Sequence, residues 1–391
     1  MFDERLKMKK INTSKVKKVY TILLCMYSIL QVYYVKIIKF DISLADICLL
    51  LILPFCMMLL DFEHIKININ MGLLMLYCVI QMIVLLLFNK MDGSAMVSTA
   101  HFILILFVLS LLTSNSYFSE KGLDMLVIIS TIASIFLIFQ FIMINFLNIY
   151  ISGQVSFLKA KTAVTGKIRP FSFFSEPASY GMYSSFGLAI CLFGKDYNKK
   201  NVKISAAIIT IALMLSMSTT SIGLMCLIWS LWFLKKFKKM KAIHFVEIVA
   251  IIIIIVLIGI KFNVFTTIYE HSFEGLSTGQ LARGLNGRIG NLDYAWKYHT
   301  KMFYKIFGVG IVDLKYFIPA IARIYIYYGM FGYICFGLFF SVFFMKTGSL
   351  GRVFILLVIV SSLFSDSIFG AQMFTYMPVI IAECNKNRKK G

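Results

Sequence analysis

The sequence predicts an all-α, polytopic membrane protein, and three observations carry that prediction. Of 391 residues, 60% are hydrophobic and 15% charged, with a mean hydropathy of +0.85. A water-soluble chain of this length needs far more polar surface. Apolar runs of roughly 17–25 residues, enough for a helix to cross a bilayer, recur along the chain. Runs such as AIIIIIVLIGI (250–260) do not alternate in polarity, which excludes membrane strands and leaves helices.

About twelve spans (ten to twelve) follow in order: 17–38, 42–60, 70–89, 96–113, 122–148, 177–194, 202–218, 220–234, 242–261, 319–345, 351–366 and 368–384. The first is too long for a removable signal peptide and lacks a small-residue cleavage site. Spans seven and eight share the break STTS (218–221), and only SDS separates the last two. Basic residues set the orientation. Arg5, Lys7, Lys9, Lys10, Lys15, Lys17 and Lys18, the turn KKFKKMK and the tail NKNRKK all fall on one side, which the positive-inside rule makes cytoplasmic. Both termini are therefore expected inside. Much of the net charge of +21 is orientation, and no nucleic-acid partner is implied. The eight cysteines lie within or at the ends of apolar runs, suggesting neither a disulfide framework nor a metal cluster. The GVG at 308–310 lacks the strand–turn–helix context of a nucleotide site.

The chain reads as one membrane domain, 1–391, with two long connections, 149–176 and 262–318, both expected outside. They hold Lys159, Lys161, Lys167 and Arg169 in the first, and Arg283, Arg288, Lys297, Lys301, Lys305 and Lys315 in the second. Cations kept on the outer surface point to an anionic ligand, although solvated loop charge would look the same. The arginines are more telling. Three of only seven lie in these loops, and a guanidinium binds phosphate bidentately where lysine cannot.

The segment KIRPFSFFSEPASYG (167–181) closes the first loop. Pro170 holds Arg169 in extended backbone, and Pro177 suits the first turn of a helix capped by Ser175 or Glu176. The helix dipole then favours the Glu176 carboxylate, and Phe171, Phe173 and Phe174 are expected in the interfacial layer. A plain Arg169–Glu176 surface salt bridge is the simpler reading.

Four stations in this stretch of chain resemble the membrane polymerases of bacterial surface polysaccharides, the O-antigen polymerase and ligase type. They are RPFSFFSEPASYG, the break LSMSTTSIGL, the loop segment GRIGNLDYAWKYHTKMFYKIFGVG and the Gly-x-x-Gly span YYGMFGYICFG, in order over roughly 165–340. Many ligase-type members carry a His-Asn pair before that last span. YFIPAIARIY has no histidine there, which favours polymerase over ligase.

The resemblance implies a glycosyltransferase that extends undecaprenyl-diphosphate-linked oligosaccharide at the outer face of the cytoplasmic membrane. Its partners would be a lipid-linked donor and acceptor, membrane lipids, a flippase and a chain-length regulator. Arg169 and Arg288 match the family's loop arginines and would clamp the diphosphate, with Arg283 and Arg323 in support. Glu176 is the candidate base or sugar-orienting group, with His299 a competitor and Tyr180 a further substrate contact. No clustered acidic metal motif appears in the outer loops, so neither metal nor cofactor is expected. An exporter or flippase of the same glycan is the rival from another class. It should line its midplane with charge, whereas here the distinctive charge lies in the loops. His101, the His244/Glu247 pair and Asp46 read as packed polar, snorkelling and helix-bridging residues.

Overall fold

The computed structural model describes residues 13–37, 40–59, 68–88, 90–114, 120–153, 159–160, 169–194, 199–236, 260, 266, 293–314, 318–365, 367–369 and 372–388. Among them the protein is mostly helical. The helices are α1 (Thr13–Leu30), α2 (Leu44–Leu59), α3 (Ile69–Leu87), α4 (Gly93–Ser114), α5 (Glu120–Leu147), α6 (Pro177–Ala189), α7 (Lys200–Leu215), α8 (Thr219–Lys236), α9 (Met302–Phe307), α10 (Ala320–Lys346), α11 (Ser349–Ser362) and α12 (Met373–Arg388). A π-helical turn, Ile190–Gly194, prolongs α6.

Among the described residues four segments are long and apolar enough to cross a membrane: Ile69–Leu87, Gly93–Leu111, Lys121–Leu147 and Ala320–Lys346. The other predicted spans that can be compared fall on helices that are shorter or less apolar than these four. Span one stops at Leu30 rather than 38, and the last two are separated by 363–372 rather than by SDS alone. The predicted span 242–261 and most of 262–318 lie outside the described residues.

A small sheet departs from the all-α expectation. β1 (Tyr33–Ile37) pairs antiparallel with β2 (Phe40–Ser43) and with β3 (Lys159–Ala160), in the order β2-β1-β3. The sequence YYVKI that was read as the end of span one is rich in aromatic and β-branched residues, which suit a strand. At its far edge Ser43 caps α2. Its hydroxyl accepts from the Asp46 N–H at 3.0 Å, while its own N–H donates to the Asp46 carboxylate at 3.2 Å, a reciprocal capping box.

Polar bonds sort the connections into two ends. At the sheet end the Tyr33 hydroxyl donates to Gly153, Arg169 to Met217, and the Ala320 N–H to Ser365. At the opposite end the Asn68 N–H donates to Ser110, Lys235 to Ser349, and Asn387 to Lys346. Each pair joins connections that the span count puts on the same side. Between the ends α5 packs on α7 and α6 on α8, the latter so closely that Gly181 leaves no room for a Cβ beside Ser221.

Candidate functional site

Arg169 and Glu176 bracket the entry to α6. The Arg169 Nη1 donates to the Met217 carbonyl at 3.2 Å, in the α7–α8 break where Met217 takes φ 51°. Burial lowers the pKa of the guanidinium and the nearby Glu176 carboxylate opposes that shift, so the group stays charged. The direct Arg169–Glu176 salt bridge does not form, although the two charges lie close enough to interact. Glu176 occupies the cap position in extended backbone, yet its side chain bonds no amide of the first turn. It accepts instead from the Ser179 hydroxyl at 3.3 Å.

The phenylalanines are also a correction. Phe171 and Phe174 are 1% exposed, within the bundle rather than at an interface, and the half-buried Phe173 stacks on Phe136 at 4.6 Å. The bend that turns them inward is centred on Ser172, at φ 56°. Gln140 of α5 accepts the Ser172 N–H at 2.7 Å and donates to Ile151 at 2.9 Å, joining both arms of the first loop. Tyr180, expected at the substrate, is fully buried and shares a 2.8 Å hydrogen bond with Ser134 of α5, so it fixes the tilt of α6.

The second assembly surrounds a break in α10. Gly329 adopts φ 65° and ψ −163°, which interrupts the helix and leaves the carbonyls before it without helical partners. Five donors from elsewhere take them. Val309 N–H reaches Ile326 at 3.1 Å, and Gly310 N–H reaches Tyr327 at 2.9 Å. The Gln81 amide donates to Tyr327 at 2.6 Å and to Phe307 at 2.7 Å, and the Tyr77 hydroxyl to Tyr328 at 2.6 Å. The His299 Nε2 lies 3.0 Å from the Ile326 carbonyl and 3.3 Å from that of Tyr325. Carbonyls only accept, so this nitrogen carries the hydrogen.

His299 is therefore 3% exposed rather than a solvated loop residue. It lies between a short helical stretch at 293–297 and α9. Burial lowers its pKa, the Tyr325 and Ile326 carbonyls opposing and Lys305 adding to the fall. The unfolded chain protonates at the ordinary value of about 6.5, so protonation favours release. Stability from this contact is complete above that pH and is lost as pH falls toward the lower folded value. Protection factors of the amides across 299–310, referred to the intrinsic exchange rate at each pH, should fall on acidification, and His299→Asn should flatten that dependence.

Arg323, half-buried at the start of α10, donates from Nε to Ile318 at 2.7 Å. Arg283, Arg288 and the His244/Glu247 pair lie outside the described residues.

A polar cleft of about 340 Å³ opens at the sheet end beside the α6 entry. It is lined by Ser28, Gln31, Val32, Tyr34, Ser43, Asp46, His101, Phe174, Ser175, Ser179 and Gln372. Within it the His101 Nε2 sits 3.0 Å from the Asp46 carboxylate, the side chains 44% and 33% exposed. The sequence reading treated these two residues separately, as packing and helix glue. One signal could have joined them, since each is the sole ionisable side chain of its helix apart from cysteine. No group of three or more metal-ligating residues occurs among the described residues. Neither a protein-family model nor a curated protein sequence matches the chain.

Proposed function

We propose that the chain is a membrane glycosyltransferase that polymerises undecaprenyl-diphosphate-linked oligosaccharide repeat units into a surface polysaccharide. In this reading it crosses the cytoplasmic membrane ten to twelve times, with both termini inside. The sheet end, and the large loop with it, faces the periplasm or cell exterior.

One observation carries the reading: the four stations of the resemblance associate in two pairs at a single end of the bundle. RPFSFFSEPASYG meets LSMSTTSIGL through Arg169 and Met217. The GVG stretch meets YYGMFG through the backbone bond from Gly310 to Tyr327, with Val309 bonding to Ile326 just before it. In this reading the two pairs form the two halves of an outer-face active site.

Arg169, with Arg288 and Arg283 from the large loop, neutralises the diphosphate as it leaves, using the chain's own cations rather than a metal. Glu176 orients the acceptor at the mouth of α6. An apolar groove of about 400 Å³, from Ile321 to Met345 between α10 and α11, suits a lipid tail arriving from the side. The partners are the lipid-linked donor and acceptor, with a flippase upstream and a chain-length regulator.

The test is a source cell lacking the protein. Polymerase function predicts single lipid-linked units accumulating on the outer leaflet, with no long ladder. Long chains retained on the carrier would make it a ligase, and units held on the cytoplasmic leaflet an exporter.

A further inference from the structure

The arginine clamp deals with the leaving group and leaves the acceptor's proton without a destination. We propose that His101, oriented by Asp46, is the base that removes the proton from the acceptor sugar's hydroxyl, an inference that rests on the polymerase reading.

The pair is built as an oriented base. The Asp46 carboxylate can only accept, so the His101 Nε2 that faces it carries the hydrogen. Nδ1 then presents its lone pair, and it has no hydrogen-bond partner among the described residues. Asp46 itself is held from behind, its Oδ2 accepting from the Ser43 hydroxyl at 2.6 Å and the Ser43 N–H at 3.2 Å. A carboxylate fixed in this way sets the imidazole tautomer and stabilises the imidazolium that forms.

The cleft around the pair suits a neutral sugar. Gln31, Gln372, Tyr34, Ser175 and Ser179 all both donate and accept, which is what a polyol demands of its site. Among the described residues no lysine or arginine lines it, so these residues do not select phosphate. Arg169 lies on the other side of the α6 entry, bonded to the α7–α8 break. The two flanks of one helix start therefore match the two parts of the reaction: an uncharged acceptor and a charged leaving group.

Among the described residues few other charges bear on His101. Asp46 is the one charged residue of α2, and α3 has none. α1 and α12 carry theirs at the opposite end. Glu176 reaches the cleft wall only through Ser179.

In the step, Nδ1 takes the hydroxyl proton as that oxygen bonds to the donor's anomeric carbon. The bond from that carbon to the diphosphate oxygen breaks, and its electron pair leaves with the lipid diphosphate. The imidazolium, paired with Asp46, then returns its proton to water.

The experiment uses the full chain in lipid nanodiscs and lipid-diphosphate-linked units extracted from the source cell, with elongation followed against pH. His101→Gln should slow elongation by about 100-fold or more and remove the acid limb of the pH–rate profile, with bound lipid-linked unit retained. Asp46→Asn should slow elongation with bound lipid-linked unit retained, and the His101→Gln/Asp46→Asn double variant should be no slower than His101→Gln alone. A purely structural role in the capping box would slow the double variant further. Elongation by His101→Gln within about threefold of wild type, with its acid limb intact, overturns the assignment. So does a limb that persists in His101→Gln and vanishes in Glu176→Gln. If the wild-type protein leaves the units single, the polymerase reading falls first and takes the base with it.

Discussion

Gly329→Ala is expected to abolish accumulation of folded protein, whatever the chain's activity. The backbone at φ 65° and ψ −163° is a region that only glycine occupies without strain, which for another residue costs about 1–3 kcal/mol. Strain is the smaller part. A Cβ at 329 would overlap the Ile306 carbonyl, and the facing Gly308, at φ 73°, would in turn drive a Cβ into the Tyr327 carbonyl. Separating the strands of this contact removes the bonds from Val309 and Gly310 and moves Tyr327 away from Gln81. Each buried group left unpaired adds about 1–3 kcal/mol, so the sum approaches the whole stability of a typical domain, about 5–15 kcal/mol. Gly337 is the matched control. It lies on the same helix with nothing within 4 Å of a built Cβ, and Gly337→Ala should elute from detergent as wild type does. A Gly329→Ala protein equally monodisperse and equally heat-stable would refute the close approach.

The elements of this fold were legible where local chemistry decides, and hidden where two apolar surroundings compete. The start of α6 at Pro177, the α7–α8 break and the glycines of GVG and YYGMFG could each be read from residue type. Their partners could not. α3 explains why. Its exposed stripe is Ile69, Leu73, Leu76, Ile80 and Leu87, and its buried stripe is Met71, Leu74, Cys78, Gln81 and Leu85. Both stripes are apolar, because lipid and protein interior ask for the same side chains, so hydrophobic periodicity cannot orient the helix. Only Gln81 marks the inner stripe, and its target, the broken carbonyls of α10, is created by a glycine 248 residues later. The Asp46–His101 pair was hidden in the same way. Each residue is readable as a polar anomaly in an apolar helix, but the α2–α4 contact that joins them is tertiary. The sheet was missed because the tyrosines, valine and isoleucine of YYVKI prolong the apolar run of the span before it, and its strand partners are tertiary.

Arg169→Ala should yield a folded protein that no longer builds chains, and the geometry says why the two properties separate. The guanidinium has five N–H donors and uses one on Met217, so most of its fork remains available for a diphosphate. The surrounding bend is held independently, by Gln140 on Ser172 and by the Ser172 hydroxyl on Ala133 at 2.8 Å. Losing the part-buried bond to Met217 should cost about 1.5–3 kcal/mol of stability, well short of the stability of a typical domain. Losing one preorganised donor at a developing anion costs about 10²–10³ in turnover, which would collapse the long glycan ladder to single units. Arg169→Lys discriminates charge from shape. It keeps the cation but cannot bond Met217 and two phosphate oxygens together, so short ladders are expected, between wild type and alanine. Arg288→Ala should resemble Arg169→Ala if both arginines grip the same diphosphate, and the double variant should then be little worse than either single one. A full-length ladder from Arg169→Ala at wild-type protein level would leave Arg169 as a tie between α6 and the α7–α8 break, and the anionic leaving group would need another partner.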